Sequence, residues 1–395
     1  MIKKNLWHQL SLALTGGFAM FSMFFGSGNL VFPLSIGADS YNFFAFAALG
    51  LFVTGIFVPF LGLISMVSAE GDRKGFFREI GRIPAFWLTF LMLAIMGPLG
   101  VSARCIIVAF AGIKLVFPVL PEVIFSFVFC LVTGALCWKK AYIVSVIGRY
   151  LTPILLICIF LIIGFGIIGA EPLLISEKSP ETLFYQGLNQ GYQTMDLLAA
   201  FFFSASTIHF LRNQTILEKS SQSPLFLALI ASFFGMTLLA LVYGGFVYLG
   251  SAYAPHLAGV PPEQMLTMIA GLTLGPYALP VMSITIALAC LTTLIILTTL
   301  FADFLSEEVS DGVLSRKVSL FVTLFISFLV SLAGFSKLSG WIATILLFAY
   351  PALIALATGK IIERLFKIKH LRIAPICFYS TMIIYGLYKI ILMIL

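Results

Sequence analysis

The chain has 395 residues, of which 61% are hydrophobic and only 10% carry a charge, and its mean hydropathy is +1.11. Soluble domains contain about 25% charged residues. No water-soluble fold could bury so large an apolar fraction, because surface grows too quickly relative to volume. The composition therefore excludes a soluble enzyme and predicts an all-α, polytopic membrane protein with the lipid bilayer as its solvent.

Apolar segments long enough to cross a bilayer, which takes about 20 residues, follow one another along almost the whole chain. The segment 251–278 is different, because four prolines interrupt it, and it is predicted to be an outer loop with a short helix. The remaining apolar segments predict eleven spans, numbered in chain order: 10–37, 43–68, 85–117, 121–138, 150–170, 187–211, 225–250, 279–303, 318–335, 339–359 and 374–394.

Lys and Arg residues indicate the orientation of these spans, because loops on the cytoplasmic side are enriched in both. The outer segment 171–181 carries three glutamates against one lysine. With the N-terminus in the cytoplasm, most of the 23 basic residues lie on the inner side, at the start of the chain and in the segments 73–82, 139–149, 212–219, 316–317 and 360–372. This topology explains the net charge of +7 without a nucleic-acid partner.

Span 1 contains the sequence Gly26-Ser27-Gly28-Asn29 in its middle. Each glycine costs a helix about 1 kcal/mol relative to alanine, and asparagine offers competing hydrogen bonds. Irregular backbone at this depth is tolerated only where it is buried in protein or lines a cavity. We expect an interrupted helix here; the alternative is a notch of small residues for helix packing.

Span 6 begins with the polar segment 189–196 and is strongly apolar from Leu197 onward. Asp196 has no basic residue near it in sequence, and a carboxylate inside a span costs about 3 kcal/mol or more, so it tends to mark a transport pathway. The alternative is that Asp196 caps a helix that starts at the membrane surface. We expect the second interrupted helix at this position.

The two expected interruptions lie five spans apart, in spans of opposite direction. Interrupted helices at matching positions of two inverted halves indicate the binding site of a secondary transporter. The N-termini of half-helices attract a carboxylate, and unwound carbonyls attract a cation or an ammonium group. An amino acid carries both charges and fits such a site.

Span 8 adds Ala289, Thr292 and Thr293, which share one helical face. Two hydroxyls and a carbonyl form a set of hard oxygen ligands that suits a small cation. The alternative is that each threonine hydroxyl bonds a carbonyl of its own helix.

Several segments resemble one family, the bacterial branched-chain amino acid:cation symporters or BrnQ-type carriers. The segments 25–33, FGSGNLVFP, and 191–200, GYQTMDLLAA, resemble two of its signatures, and Gly97-Pro98 with Arg104 and the segment 289–293 resemble its spans 3 and 8. The resemblance covers nearly the whole chain. It implies import of leucine, isoleucine or valine across the bacterial cytoplasmic membrane, driven by Na+ or H+, with no cofactor; it does not indicate an oligomeric state.

The family resemblance also implies a LeuT-like fold of two inverted five-helix repeats, at about 10–170 and 187–359, followed by an extra helix at 374–394. A central substrate site is expected at Gly26, Ser27, Gly28, Asn29, Gly191, Tyr192, Thr194, Asp196 and Arg104. A sodium site is expected at the carbonyls of Ser22, Phe25 and Ala289 and the hydroxyls of Thr292 and Thr293. Arg104 either pairs with an acid such as Asp196 or extends toward the interface.

The chain departs from the family pattern in two ways. Ala103 and Cys105 stand where the family more often has proline and threonine, and the eleven spans expected here are one fewer, at the C-terminal end, than the family's usual twelve. The changes beside Arg104 affect the expected substrate pocket, whereas the missing helix lies outside the two repeats.

Other functions fit the sequence less well. The chain has no ATP-binding motif of the GxxxxGK type, so an ion gradient must drive transport. A membrane lipid or prenyl transferase would need clustered acids or a His/Asp set, but the 16 acids and four histidines are scattered. A channel would show repeated filter sequences. Methionine remains an alternative substrate, because apolar pockets discriminate weakly between side chains of similar length.

Overall fold

The computed structural model describes residues 2–114, 116–138, 152–217, 223–275, 278–368 and 371–394, and within these ranges it contains helices and no β-strand. This is expected in lipid, where every backbone polar group must find an internal partner. The basic segment 139–149, together with Lys219 and Lys369, contributes to the predicted orientation but lies outside the described residues.

The first half of the chain begins with an interrupted span and continues with an antiparallel series of helices. Short 3-10 and π turns occur at Tyr41–Phe43 and Val53–Phe57. The α-helices are α1 (Ile2–Phe24), α2 (Ser27–Ala38), α3 (Phe44–Phe52), α4 (Val58–Ser68), α5 (Arg73–Arg78), α6 (Arg82–Met96), α7 (Val101–Lys114), α8 (Glu122–Cys137) and α9 (Thr152–Ile168).

The second half repeats this beginning with another interrupted span. The segment between spans 7 and 8 forms short helices, as predicted. The α-helices are α10 (Pro180–Gln193), α11 (Asp196–Leu217), α12 (Pro224–Ala252), α13 (Ala254–Leu257), α14 (Met265–Leu274), α15 (Ala278–Phe304, continued by a π turn Leu305–Val309), α16 (Arg316–Ser331), α17 (Phe335–Leu365) and α18 (Ile373–Ile394).

These helices correspond to the eleven predicted spans. Five of the spans are single long apolar stretches, and two are bent pairs: α1 and α2 meet at 69°, and α10 and α11 meet at 40°. The prediction of an all-α membrane protein with interrupted spans 1 and 6 is therefore confirmed. Span 6 begins at Pro180, before the predicted 187, because the polar segment before the break is part of the helix α10.

Span 3, predicted at 85–117, is present, but its helix has a break that the sequence interpretation did not include. Helix α6 ends at Met96, a turn occupies residues 97–100, and α7 starts at Val101. Pro98 has no N–H to donate, and a Cβ atom on Gly100 would lie 2.0 Å from the carbonyl oxygen of Ile95. Proline and glycine together interrupt the helix here, although the two halves still form one long span of 33 residues.

Eight of the spans pack into two groups. Spans 1, 2, 6 and 7 pack against one another and are called the bundle; spans 3, 4, 8 and 9 form a second packed group, called the scaffold. Helix crossings within the bundle are very close. Cβ atoms built on four glycines would lie 2.1–2.2 Å from a backbone oxygen of the facing helix: Gly37, Gly50, Gly187 and Gly250. Small residues are typical of such membrane crossings.

Ion pairs to Glu308 connect the two groups on the side of the membrane where the chain begins, and the longer of them comes from Lys74 at 3.5 Å. Arg73, in the short helix α5 after span 2, donates to the carboxylate of Glu308 at 2.8 Å. Glu308 lies in the π turn that ends span 8. The guanidinium of Arg73 also lies 5.3 Å from the ring centre of Phe202 in α11. Arg73 therefore contacts both a scaffold helix and a bundle helix.

We predict that Gly187→Ala destabilises the protein by about 1–3 kcal/mol, because the added methyl group must push α10 away from the backbone of α3. Thermal or denaturant unfolding in detergent measures this change. Gly164→Ala is the matched control, since Gly164 has open space around its Cα and alanine is the better helix former. Equal stability of the two variants would contradict the close crossing.

Candidate functional site

The break in span 1 is short. Only Phe25 and Gly26 leave the helix, and the following residues of the predicted irregular segment form the first turn of α2. The N–H of Gly26 donates to Oδ1 of Asn29 at 3.1 Å, whereas in a continuous helix it would bond the carbonyl of Ser22. The break therefore removes the usual helical donor, the N–H of Gly26, from the carbonyl of Ser22.

The break in span 6 lies at Thr194 and Met195. Met195 has a φ of 63°, a left-handed conformation that costs a non-glycine residue about 1–3 kcal/mol and persists only where its surroundings enforce it. The Thr194 hydroxyl donates to the carbonyl of Gly191 at 2.8 Å. The hydrogen bond of Thr194 thus stabilises the start of the break, and contacts with the surrounding helices must hold Met195 at its end.

The two breaks face each other. A Cβ atom on Gly28 would lie 3.2 Å from Cα of Thr194, so only glycine allows this approach without displacement. The side-chain amide of Asn29 donates to both carboxylate oxygens of Asp196, at 3.0 Å each. The hydroxyl of Tyr243, in span 7, donates to Asp196 at 2.6 Å and also contacts the Asn29 amide. Three bundle spans thus meet at one carboxylate.

Asp196 is 1% exposed and is the first residue of α11. A helix N-terminus stabilises a negative charge, and the donors from Asn29 and Tyr243 add charge-assisted hydrogen bonds. The alternative of a cap at the membrane surface does not fit, because α10 precedes Asp196 and the carboxylate is buried. Tyr243 was not among the residues predicted from the sequence; the available signal was a hydroxyl in the middle of an apolar span beside Gly244 and Gly245.

Two of the predicted substrate residues have mainly packing contacts. A Cβ atom on Gly191 would lie 2.0 Å from the Thr54 hydroxyl of span 2, so Gly191 belongs to the crossing of spans 2 and 6. The ring of Tyr192 lies 4.7 Å from that of Tyr350 in span 10. Ser27 is buried in the first turn of α2, and its hydroxyl accepts from the thiol of Cys105 at 3.6 Å.

Arg104 of α7 lies beside both breaks and is completely buried. Its Nη2 atom donates to the carbonyl of Gln193 at 3.2 Å, and its guanidinium lies 5.3 Å from the ring centre of Phe32 in α2. Nε and Nη1 have no hydrogen-bond partner among the described residues. The expected ion pair with Asp196 is not formed within 4.0 Å, and a buried side chain does not extend toward the interface.

The predicted cation ligands lie where span 8 approaches the first break. The Thr293 hydroxyl donates to the carbonyl of Phe25 at 3.3 Å, whereas the Thr292 hydroxyl donates to the carbonyl of Ala289 in its own helix at 2.9 Å. The hydroxyl of Ser22 is buried and has no partner in the described part of the chain. The structure thus brings the oxygens of spans 1 and 8 together, and one threonine has the contact expected of an ordinary membrane helix.

We predict that Asp196→Asn destabilises the protein more than Tyr243→Phe. The asparagine would direct an NH2 group at the amide of Asn29 and would lose every charge-assisted bond to the carboxylate, whereas Tyr243→Phe loses only one. Such bonds are worth about 1.5–3 kcal/mol each, and a bond between neutral groups is worth about 1 kcal/mol. Unfolding in detergent measures both. Tyr253→Phe is the control, because its hydroxyl bonds the neutral carbonyl of Gly166. Wild-type stability of Asp196→Asn would instead indicate a simple cap, since asparagine caps as well as aspartate.

Residues 10–393 match the sequence model of a family described as branched-chain amino acid transport protein. The chain is 29% identical over 400 residues to a provisionally named branched-chain amino acid carrier protein of Staphylococcus aureus strain USA300, an alignment that covers 94% of this chain and 85% of the relative. The corresponding protein of strain MRSA252 is 28% identical over 405 residues, with the same coverage.

Solved structures share the fold at low sequence identity. MhsT in complex with L-phenylalanine superposes with a TM-score of 0.60 at 15% identity, covering 93% of this chain and 97% of that one. The inward-facing conformation of Mhp1 gives 0.58 at 12% identity, covering 88% and 77%. The expected LeuT-like fold is thereby confirmed. With the match over residues 10–393, we conclude that the chain belongs to the branched-chain amino acid transport protein family, and it is a membrane carrier rather than an enzyme.

Proposed function

We propose that this carrier is a sodium-coupled symporter that imports leucine, isoleucine or valine across the bacterial cytoplasmic membrane. The observation that carries the proposal is the meeting of three elements: the breaks of spans 1 and 6 face each other, and a hydroxyl of span 8 bonds the carbonyl of Phe25 at the first break. An ion held between spans 1 and 8 would therefore act directly on the backbone that forms the substrate site.

The proposed substrate site lies at the start of α2 and at the break of span 6, with Gly28, Asn29 and Thr194 closest to both. The first N–H groups of a helix attract a carboxylate, and the unwound carbonyls attract an ammonium group. The close approach of Gly28 to Thr194 supports a site that holds the backbone-like part of an amino acid. The remaining predicted residues, Gly191 and Tyr192, would support the site through packing.

The proposed sodium ligands are the carbonyls of Ser22, Phe25 and Ala289 and the hydroxyls of Thr292 and Thr293. Neutral oxygens are a suitable donor set for a small, hard cation. Two observations support the fit: the hydroxyl of Thr293 already lies at hydrogen-bond distance from the Phe25 carbonyl, and the helical partner of the Ser22 carbonyl is instead bonded to Asn29.

The topology of the proposed carrier follows from its repeats and charges. The interrupted α1–α2 and α10–α11 spans each open one proposed repeat, at about 10–170 and 187–359, and the helix at 374–394 is additional. The basic residues favour a cytoplasmic N-terminus. Substrate and ion would then enter together from the outside, and the sodium gradient would supply the energy.

Uptake of labelled leucine into proteoliposomes tests the proposal. An inward sodium gradient should drive accumulation, and a pH gradient alone should not. Isoleucine and valine should compete with leucine, and methionine is included as a competitor because its side chain is flexible and of similar length. Accumulation that follows the pH gradient and ignores sodium would reject sodium coupling in favour of proton coupling.

We predict that Gly28→Leu abolishes leucine binding and that Gly28→Ala weakens it about tenfold, because the added atoms fill the space between α2 and the second break. Binding to purified protein measures the effect. Gly16→Ala is the matched control: its Cβ would also be close to a neighbour, 3.3 Å from Cβ of Ala231, but it lies away from the break in the same span. Equal losses in both variants would argue against a site at Gly28.

We also predict that Thr293→Val raises the sodium concentration for half-maximal uptake about tenfold, the size expected for one lost ligand or hydrogen bond. Thr292→Val should raise it less, because that hydroxyl already has a partner in its own helix. Uptake at saturating sodium should change little. Thr285→Val is the control, since this buried span 8 hydroxyl bonds only its own helix.

The same sodium-dependence data test the mechanism. Sodium and leucine should each tighten the binding of the other by the same factor in wild-type protein, as thermodynamic linkage requires. A sodium requirement that is unchanged in both threonine variants would contradict the proposed ligands.

A further inference from the structure

Arg104 lies beside the two breaks, and the described residues leave most hydrogen-bond donors of its guanidinium without a partner. Its side chain is completely buried, it donates one hydrogen bond to a neutral carbonyl, and no described residue pairs with its Nε and Nη1 atoms. A charge removed from water is costly unless it is paired and hydrogen-bonded. The contact with the Phe32 ring at 5.3 Å supplies only part of this compensation.

We propose that Arg104 binds the α-carboxylate of the transported amino acid. This inference rests on the proposed function and assigns one half of the substrate to one side chain. Guanidinium groups bind carboxylates through two parallel hydrogen bonds, and an amino acid is the anion that such a site in this carrier would receive. The apolar side chains of leucine, isoleucine and valine have no group that pairs with the guanidinium, so its ligand is the carboxylate that all three share.

The nearest buried acid does not take this role. Asp196 forms no ion pair with Arg104 within the 4.0 Å limit, and its oxygens already accept from Asn29 and Tyr243. Asp196 is also the first residue of α11, so its own carboxylate occupies the positive end of that half-helix. The structure therefore removes the start of α11 from the possible positions of the substrate carboxylate.

The start of α2 remains available, and Arg104 lies against it. Phe32 of α2 covers the guanidinium, and the hydroxyl of Ser27, the first residue of α2, accepts from the neighbouring thiol of Cys105. A carboxylate between them would receive both the N–H groups at the start of α2 and the charge of Arg104. The Nη2 bond to Gln193 fixes the guanidinium to the break of span 6 and so orients its other nitrogens.

The test compares leucine with leucinamide, in which a neutral amide replaces the carboxylate, for binding to purified protein in sodium. Arg104→Gln should weaken leucine binding by about 100-fold and change leucinamide binding by less than about threefold. Arg104→Lys keeps the charge but loses the two-pronged geometry, so leucine binding should weaken by about tenfold. Lys114→Gln is the control: it removes an exposed cation from the same helix and should change neither.

Two results would overturn the proposal. In the first, the Arg104 variants bind leucine with wild-type affinity. In the second, their affinities for leucine and for leucinamide fall by the same factor, which is the result expected of a purely structural arginine. Stabilisation of the purified variants by sodium alone, measured as a shift in unfolding temperature, shows that the fold and the proposed cation site survive. Failure of the proposed function is a separate result, because it would appear as wild-type protein that neither binds leucine nor accumulates it in response to sodium.

Discussion

A buried carboxylate organises the centre of this protein. Asp196 must have hydrogen-bond partners around it, because a carboxyl group buried this deep in the protein has no water to replace them. Asn29 and Tyr243 supply these donors from spans 1 and 7, and this requirement fixes how the two breaks face each other. The close glycine crossings then follow, since three helices can converge on one side chain only where their backbones approach closely.

Sequence patterns predicted the fold and the positions of both breaks, because glycine, asparagine and aspartate stand out against apolar spans. They did not predict the partners. Asn29 and Asp196 are 167 positions apart, and periodicity within one helix carries no information about which helix lies opposite. Tyr243 was missed for this reason, and the break at Gly97-Pro98 was missed because span 3 is apolar on both sides of it.

The two threonines of span 8 are another case in which the sequence pattern predicts the position of a side chain but not its partner. Thr292 and Thr293 share a helical face, yet one hydroxyl bonds its own helix and the other reaches span 1. The side-chain rotamer of each threonine determines which carbonyl its hydroxyl bonds, and contacts with the neighbouring span determine the rotamer. Gly191 illustrates the converse: it lies in a signature segment, but its missing side chain serves the contact with Thr54 and not an open site.

The ion pair between Arg73 and Glu308 has a consequence for the transport cycle. It joins the loop helix α5, which also contacts the bundle through Phe202, to the end of a scaffold helix, so rocking of one group against the other would strain it. Both side chains are about one-fifth exposed, and dissolved salt weakens such pairs by screening. Ionic strength on that side of the membrane would then shift the balance between conformations that keep this contact and conformations that break it, and the apparent affinity for cargo would follow that balance.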